Sequence, residues 1–482
     1  MQKKFLKNII LLLTLNLLIK PFWILGIDVA VQNRVGAAEY GWYFAIFNFS
    51  FLLNILLDFG ITNFNNKNIA QNNHLLRKHL SSIVLLKLLL GVLYLVITLI
   101  GGFFINYSHN QLMLLIVMAF NQFLISFVLY LRSNLSGLHL FKLDSFMSIL
   151  DRLIMIGICA ILLWGSTGIE FSIRWFVFAQ TLAYLLTALI ALIVVFHRAK
   201  ARFLKLRWNL PFSIMIIKNS FPFAILVLMM TFYNRIDTVM MERILPDPDG
   251  SYQSGIYASA YRLLDATNMI AFLFSALLLP MFSRMIKHKE NIEKLVKLSF
   301  TMLLVPAFII SIGSYFYATD IMKLMYKSHV EESAEVFKRL MFCFIPISCT
   351  YIFGTLLTAN GNLKQLNFVA ASGMTLNITL NFILIPEFMS KGSAFASLCT
   401  QTITALIQIY LAIRFFKMRP DYSFIIRFAL YLVGVIIAGY VSTLLPFGWF
   451  IRLGIMACAA GLWAFAVRII SFRAFFNIMK YG

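Results

Sequence analysis

Long apolar runs, interrupted only by short polar punctuation, occupy nearly the whole chain. They are continuous, with neither the strict alternation of half-buried strands nor the narrow 3.6-residue stripe of a surface helix. Fourteen of them reach the roughly 20 residues needed to cross about 30 Å of hydrocarbon. They lie at approximately 9–32, 40–61, 81–104, 111–136, 145–164, 172–196, 213–241, 254–281, 296–318, 337–358, 365–386, 391–415, 423–445 and 449–470. Barrel strands would alternate, and in lipid only a helix satisfies all its backbone groups within one such segment. The pattern predicts an all-α integral membrane protein of about 14 transmembrane helices.

Composition sharpens this by exclusion. The 482 residues are 61% hydrophobic and 12% charged, with a mean hydropathy of +0.85, against roughly 45–50% and about 25% for a soluble domain. A soluble globule is excluded. The net charge of +22 raises the question of nucleic acid, and its placement answers it. With the N-terminus inside, cations gather in alternate loops: Lys3, Lys4 and Lys7 at the start, HRAKARFLKLRWNLPFS at 197–213, and the stretch from Arg284 to Lys297. The acids of LPDPDG (Asp247, Asp249) and VEESAE (Glu331, Glu332, Glu335) fall on the other side. This is the positive-inside pattern. It predicts a multi-pass membrane protein with both termini cytoplasmic, its basic loops facing anionic lipid headgroups rather than nucleic acid.

The opening MQKKFLKNIILLLTL has the basic and apolar parts of a signal peptide. Its apolar run continues past Lys20 to Ala30 without a small-x-small cleavage site, so it reads as an uncleaved first helix. The five cysteines all fall inside predicted spans with no CxxC or adjoining His cluster, which supports neither a disulfide framework nor a zinc site.

The basic loop 197–213 divides the spans. An N-terminal lobe of helices 1–6 (1–200) precedes a C-terminal lobe of helices 7–12 (201–420), and a final helix pair follows (421–482). The lobes echo each other: EYGWYFAIFNFS (39–50) matches QSGIYASAYRLL (253–264), and AQTLAYLLTALIAL (179–192) matches TQTITALIQIYLAI (400–413), at offsets of 214 and 221 positions. An even number of spans per repeat makes the two lobes parallel, related by a pseudo-two-fold axis along the membrane normal.

VGAAEYGWYFAIFNFSFLLNILLDFGI (35–61), NRIDTVM (234–240), SGIYASAYRLLDA (254–266), ALLLPMFSR (276–284), LLTANGNLKQLN (356–367) and LNITLNFILIP (376–386) together resemble the oligosaccharide flippases of the multidrug/oligosaccharidyl-lipid/polysaccharide exporter superfamily. The motifs keep the family's order and cover nearly the whole chain. The resemblance implies a two-lobed alternating-access carrier that moves a polyprenyl-diphosphate-linked oligosaccharide to the outer leaflet: an O-antigen, capsule or exopolysaccharide repeat unit. Fourteen spans are also usual among the lipid-linked peptidoglycan precursor flippases, to which the chain is similar, and that substrate stays open. The implied partners are the lipid bilayer, the lipid-linked glycan, and the glycan polymerase or transferases of the same pathway.

Charges inside the spans are the candidate site. Lys20 stands roughly 18 Å from either end of its span on the 1.5 Å rise, too deep to snorkel, and Pro21 beside it breaks the local hydrogen bonding. An ionisable group at that depth faces a cavity or a partner. For the substrate the resemblance implies, Lys20 reads as a diphosphate ligand; the alternative is a structural pair with a buried acid. Arg262, in YRLL, is the second candidate, because the resemblance implies a cavity-facing arginine there. Asp265, one turn on, shares its face and is the alternative partner. Asp58 and Lys87 lie near cytoplasmic helix ends, within snorkelling reach, and read as gate or interface residues.

Asp237, Asn377 and Asn381 fall at similar depth, the last two on one helix face, and Thr400 adds a hydroxyl. Oxygen donors of this kind suit a hard cation such as sodium. The resemblance implies such a site, although Asn381 stands where some relatives carry a second acid. The competing reading is amides bonding between helices. No catalytic residue and no bound cofactor are expected; sodium and proton both remain open as coupling ions.

A multidrug exporter of the same superfamily is the nearest rival, and Lys20 disfavours it because organic cations call for acids and aromatics. A glycan polymerase or ligase would need acid/base groups in an outer loop large enough for a sugar chain; the longest outer loop, ATDIMKLMYKSHVEESAEV, is short and shows no catalytic constellation. A sugar transferase would need a Gly-rich phosphate loop, which is absent from the sequence. The chain is therefore expected not to be an enzyme.

Overall fold

A computed structural model describes residues 14–16, 18, 19, 21–62, 65, 66, 69, 75–138, 140–165, 168, 170–199, 210–418 and 421–469. The described residues form helices and connecting turns, with no strand among them. In chain order the α-helices are α1 (Val29–Val35), α2 (Ala37–Leu52), α3 (Leu75–Phe104), α4 (His109–Gly137), α5 (Phe141–Trp164), α6 (Ile173–Ala199), α7 (Leu210–Ile244), α8 (Asp249–Lys287), α9 (Glu293–Phe316), α10 (Ala318–Met325), α11 (Val330–Phe342), α12 (Phe344–Ala359), α13 (Leu363–Phe416), α14 (Tyr422–Thr443) and α15 (Trp449–Ala466).

Eleven helical stretches among the described residues are long and apolar enough to cross a membrane, and the chain is a multi-pass membrane protein. Their number agrees with the expected spans once the interruptions are read. α13 is two spans, because Met389 (φ 52°, ψ −133°) turns the chain back on itself. Gly392 permits that turn: a Cβ there would lie 2.4 Å from the Leu384 carbonyl oxygen. The first two apolar runs are broken rather than missing. A π-helical turn, Trp23–Asp28, leads into α1, and α2 ends in a 3₁₀ turn, Asn54–Leu57, followed by left-handed Phe59 and Gly60. The expected loop at 319–336 is largely helical, forming α10 and the start of α11.

Two compact units result, Met1–Ala258 and Ser259–Gly482. In the first, helix ends are closed by side chains both near and far in sequence. Ser108 and Gln111 form a reciprocal capping box at the start of α4, and the Glu39 carboxylate accepts the Ile173 N–H at the start of α6 at 2.8 Å, where the helix dipole favours an anion.

In the second unit, α14 and α15 pack on α9. Phe300, Phe424 and Phe428 form an aromatic cluster with centroids 5.2–6.0 Å apart. The Tyr431 hydroxyl donates to the Val305 carbonyl at 3.1 Å, and Tyr317 and Ser442 share a hydrogen bond of 2.7 Å. Gly434 and Gly439 give the bulky neighbours room, the Trp463 ring lying against the first and Phe316 against the second. The other face of α14, including Ile425, Leu430, Val433 and Ile437, stays exposed, as a lipid-facing helix requires.

Candidate functional site

Close approach of two helices organises the first unit. At Gly41 on α2 a Cβ would sit 1.9 Å from the Ser251 carbonyl oxygen, and at Gly255 on α8 it would sit 1.9 Å from that of Ala37. Only glycine fits either place. Polar side chains fasten the same region: Gln32 Nε2 donates to the Gly255 carbonyl at 2.9 Å, Asn48 Nδ2 to Thr238 Oγ1 at 2.8 Å, and Ser254 Oγ to the Thr238 carbonyl at 3.1 Å. These bonds satisfy polar groups inside a membrane segment, where water does not reach them.

Lys87 is the most deeply embedded cation described, at 1% exposure. Its ammonium donates to the Leu57 carbonyl at 2.9 Å and to Ser126 Oγ at 3.0 Å, and it forms an ion pair with the half-buried Asp58. Asp58 also accepts from the Thr62 hydroxyl and backbone N–H. The ammonium is turned onto these groups rather than toward a helix end. α3 begins at Leu75, so Lys87 lies 12 residues inside the helix, roughly 18 Å along it. There it braces the turn that ends α2, donating to the Leu57 carbonyl that helical hydrogen bonding has released.

The remaining expected residues are placed as follows. Lys20 lies outside the described residues. Arg262 and Asp265 are both half-buried on α8, one turn apart, in the second unit. Asp237, 1% exposed, belongs to the first unit and accepts from the Tyr257 hydroxyl at 2.6 Å. Asn377, Asn381 and Thr400 are fully buried on α13 in the second unit. Asn381 Nδ2 donates to Asn377 Oδ1 at 3.1 Å, and the Thr400 hydroxyl has no hydrogen-bond partner among the described residues. Amide and hydroxyl oxygens fit a hard cation in donor type; the neutrality of these three side chains fits it poorly in charge. No group of three His, Cys, Asp or Glu side chains is arranged for a metal ion among the described residues.

Other groups were not singled out by the sequence reading. Asp28, 2% exposed, sits in the π-helical turn of the first span; a lone acid in an apolar run was the available signal. Arg235 on α7 lies over the Phe51 ring of α2, 5.4 Å from its centroid. At the end of α7, Arg243 binds the Glu242 carboxylate, donates to the Ile105 and Asn106 carbonyls at 3.2 Å each, and covers Tyr107 at 4.7 Å. Burial pushes the Tyr107 phenol well above its ordinary range, aided by the nearby Glu242 carboxylate. Nothing local in the sequence pairs Arg243 with the 105–107 turn, or Arg235 with Phe51.

Comparison with known proteins follows the fold. Residues 5–286 match the family described as "Polysaccharide biosynthesis protein". An uncharacterized membrane protein of Methanocaldococcus jannaschii is 24% identical over 206 residues, 43% of this chain and 48% of that protein. The match therefore spans about half the length of that relative. Among solved structures, a lipid II flippase, MurJ, in an inward closed conformation aligns with a TM-score of 0.66 at 14% identity, covering 92% of this chain and 96% of that one. An inward-facing multidrug resistance transporter of the MATE family, in the MOP superfamily, aligns at 0.63 and 13% identity over 85% and 98%. A MOP superfamily transporter from Pyrococcus furiosus, described by the reverse polarity of its binding pocket, aligns at 0.62 and 13% identity over 85% and 96%. These likenesses establish a shared fold.

Proposed function

The chain belongs to the polysaccharide biosynthesis protein family, and from that premise we propose that it is a flippase. Its cargo is a polyprenyl-diphosphate-linked oligosaccharide, an O-antigen, capsule or exopolysaccharide repeat unit, carried from the cytoplasmic to the outer leaflet of the bacterial inner membrane. The family match over residues 5–286 carries this reading. Intramembrane cations support it, since a diphosphate crossing hydrocarbon needs positive or hydrogen-bonding company. We assign Lys20 and Arg262 to the diphosphate. Asp265 is assigned to neutralise Arg262 between loads, and the braced turn of Asp58 and Lys87 to a gate. The two six-helix repeats, 1–200 and 201–420, carry out alternating access, and the pair 421–482 accompanies the second. No bond is made or broken in the cargo. Both termini are assigned to the cytoplasm from the distribution of Lys and Arg.

Asn377, Asn381 and Thr400 are the groups we assign to a coupling cation. Bound there, a sodium ion would supply a positive charge whose movement draws on the membrane potential, about 2.3 kcal/mol per charge per 100 mV. A proton is the alternative coupling ion.

Lipid-linked peptidoglycan precursor is the second reading, favoured by the likeness to the lipid II flippase over 92% of this chain. The multidrug reading is the weaker of the alternatives, for the reason of charge given above. Complementation separates them. Wild type and Lys20→Ala are introduced into a strain lacking an O-antigen or capsule flippase and into one depleted of its peptidoglycan-precursor flippase. Surface glycan restored by wild type and not by normally expressed Lys20→Ala supports the first reading and the cation. Rescue of growth in the second strain moves the cargo to peptidoglycan, and rescue of neither strain with gain of drug efflux overturns both.

A further inference from the structure

The aromatic residues of α2 are not scattered. Tyr43, Phe47 and Phe51 recur at i, i+4 and i+8, so they share one face, and successive rings stand 6.1 Å apart with interplanar angles of 26° and 33°. Phe44 extends the stripe sideways, 6.3 Å from Phe47. The stripe is anchored at one end: Tyr43 is buried, and its hydroxyl accepts from Gln180 Nε2 at 2.9 Å. Toward the other end Phe47 and Phe51 are only half-buried.

Arg235 closes that open end. Its guanidinium carbon lies 5.4 Å from the Phe51 centroid, within cation–π range. It stands nine residues before the end of α7, roughly 14 Å along the helix, and it is half-buried. A guanidinium at that depth does not turn its accessible face to acyl chains; such groups face polar cavities or partners. Part of Arg235, and of the ring it covers, stays accessible within the membrane span.

A flat aromatic face with a guanidinium at its edge is suited to a sugar bearing an anionic group. The ring's negative face attracts the weakly positive C–H bonds of a pyranose, and arginine's planar fork binds phosphate oxygens in a bidentate manner. We propose that Phe47, Phe51 and Arg235 form a subsite for the sugar attached directly to the diphosphate, the rings stacking on the sugar and Arg235 binding the adjoining phosphate. This rests on the flippase reading and deepens it by naming a contact for the glycan itself, made by residues of the first unit.

The test uses the full-length protein in phosphatidylcholine nanodiscs, with binding followed by native mass spectrometry. Three probes are compared: undecaprenyl diphosphate, undecaprenyl-diphosphate-N-acetylglucosamine and undecaprenol. Phe51→Leu and Phe47→Leu keep apolar bulk and remove the ring. Each is expected to weaken the sugar-bearing probe by about 3- to 10-fold, the size of an aromatic contact, while leaving undecaprenyl diphosphate within about twofold. Arg235→Gln is expected to weaken both diphosphate probes by about 10-fold or more and undecaprenol not at all, with Arg235→Lys in between. Equal loss of both diphosphate probes in the Phe variants would make the rings structural and overturn the subsite. So would unchanged binding in Arg235→Gln. If wild type prefers neither diphosphate probe over undecaprenol, the flippase reading itself fails, a result distinct from failure of the subsite.

Discussion

Gly41 and Gly255 stand at equivalent places in the two sequence repeats, 214 positions apart, and press the backbones of α2 and α8 together. The contact is reciprocal. Gly41 meets Ser251, Gly255 meets Ala37, and Ala37 and Ser251 are themselves repeat equivalents. An interface in which residue i meets j and j meets i is the signature of a local two-fold relation. The repeat that ties the chain's halves together in sequence thus brings the start of α8 against α2 as two copies of one surface.

Gly41→Ala and Gly255→Ala are each expected to destabilise the protein by about 1–3 kcal/mol, because the obstructing atoms are backbone carbonyls that have no rotamer to move to. The measurement is thermal unfolding in detergent, followed by fluorescence size exclusion. The double variant is expected to cost less than the sum, since one displacement of α8 relieves both overlaps. Strict additivity would mean that the two glycines do not share a contact.

Lys87→Met is expected to cost about 3–5 kcal/mol by leaving Asp58 charged without its partner. Lys87→Met with Asp58→Asn is expected to regain part of this, though the Leu57 carbonyl and Ser126 still lose their shared donor. A double-mutant cycle on unfolding midpoints checks it. Single and double variants that melt with wild type would show the brace to be dispensable.

Asn381→Asp places a carboxylate beside the Asn377 amide. In potassium buffer the variant is expected to melt below wild type, because a buried carboxylate without compensation is costly. Sodium is expected to restore it, with stabilisation growing as RT ln(1 + [Na⁺]/Kd). Identical melting in sodium and potassium, for wild type and variant alike, removes the cation assignment.

Asp421 caps α14, accepting the Phe424 N–H at 3.1 Å and the Lys297 ammonium at 2.7 Å. The bond from Lys297, then that from Phe424, holds its carboxyl below the usual range. The folded value lies under the unfolded one, so the cap's contribution is present above the ordinary carboxylate value of about 4 and is lost as pH falls through the folded value. Lys297→Met is expected to make the first turn of α14 fray at a higher pH than in wild type. Hydrogen exchange at residues 422–426 across a pH series reads this, with exchange rates corrected for intrinsic pH dependence. No shift in the fraying pH would show that the pair is screened away at the surface.

What the sequence determined by itself was the set of spans and the repeat. In a bilayer each apolar run must close its own backbone hydrogen bonds, so helix identity is a local property and can be read from the run itself. Met389 and Gly392 divide α13 where the two predicted spans meet, and the repeat aligned Gly41 with Gly255 without showing that they touch. Tertiary structure alone decided the partners of the buried polar groups. Asp58 and Ser126 are 29 and 39 positions from Lys87, and Phe51 and Arg235 come from different helices. A charge inside a membrane must find a partner somewhere, but the sequence only states the need. Which carbonyl, hydroxyl or ring meets it follows from how the helices pack, and that packing is set by contacts such as the glycine crossing, made between residues far apart in the chain.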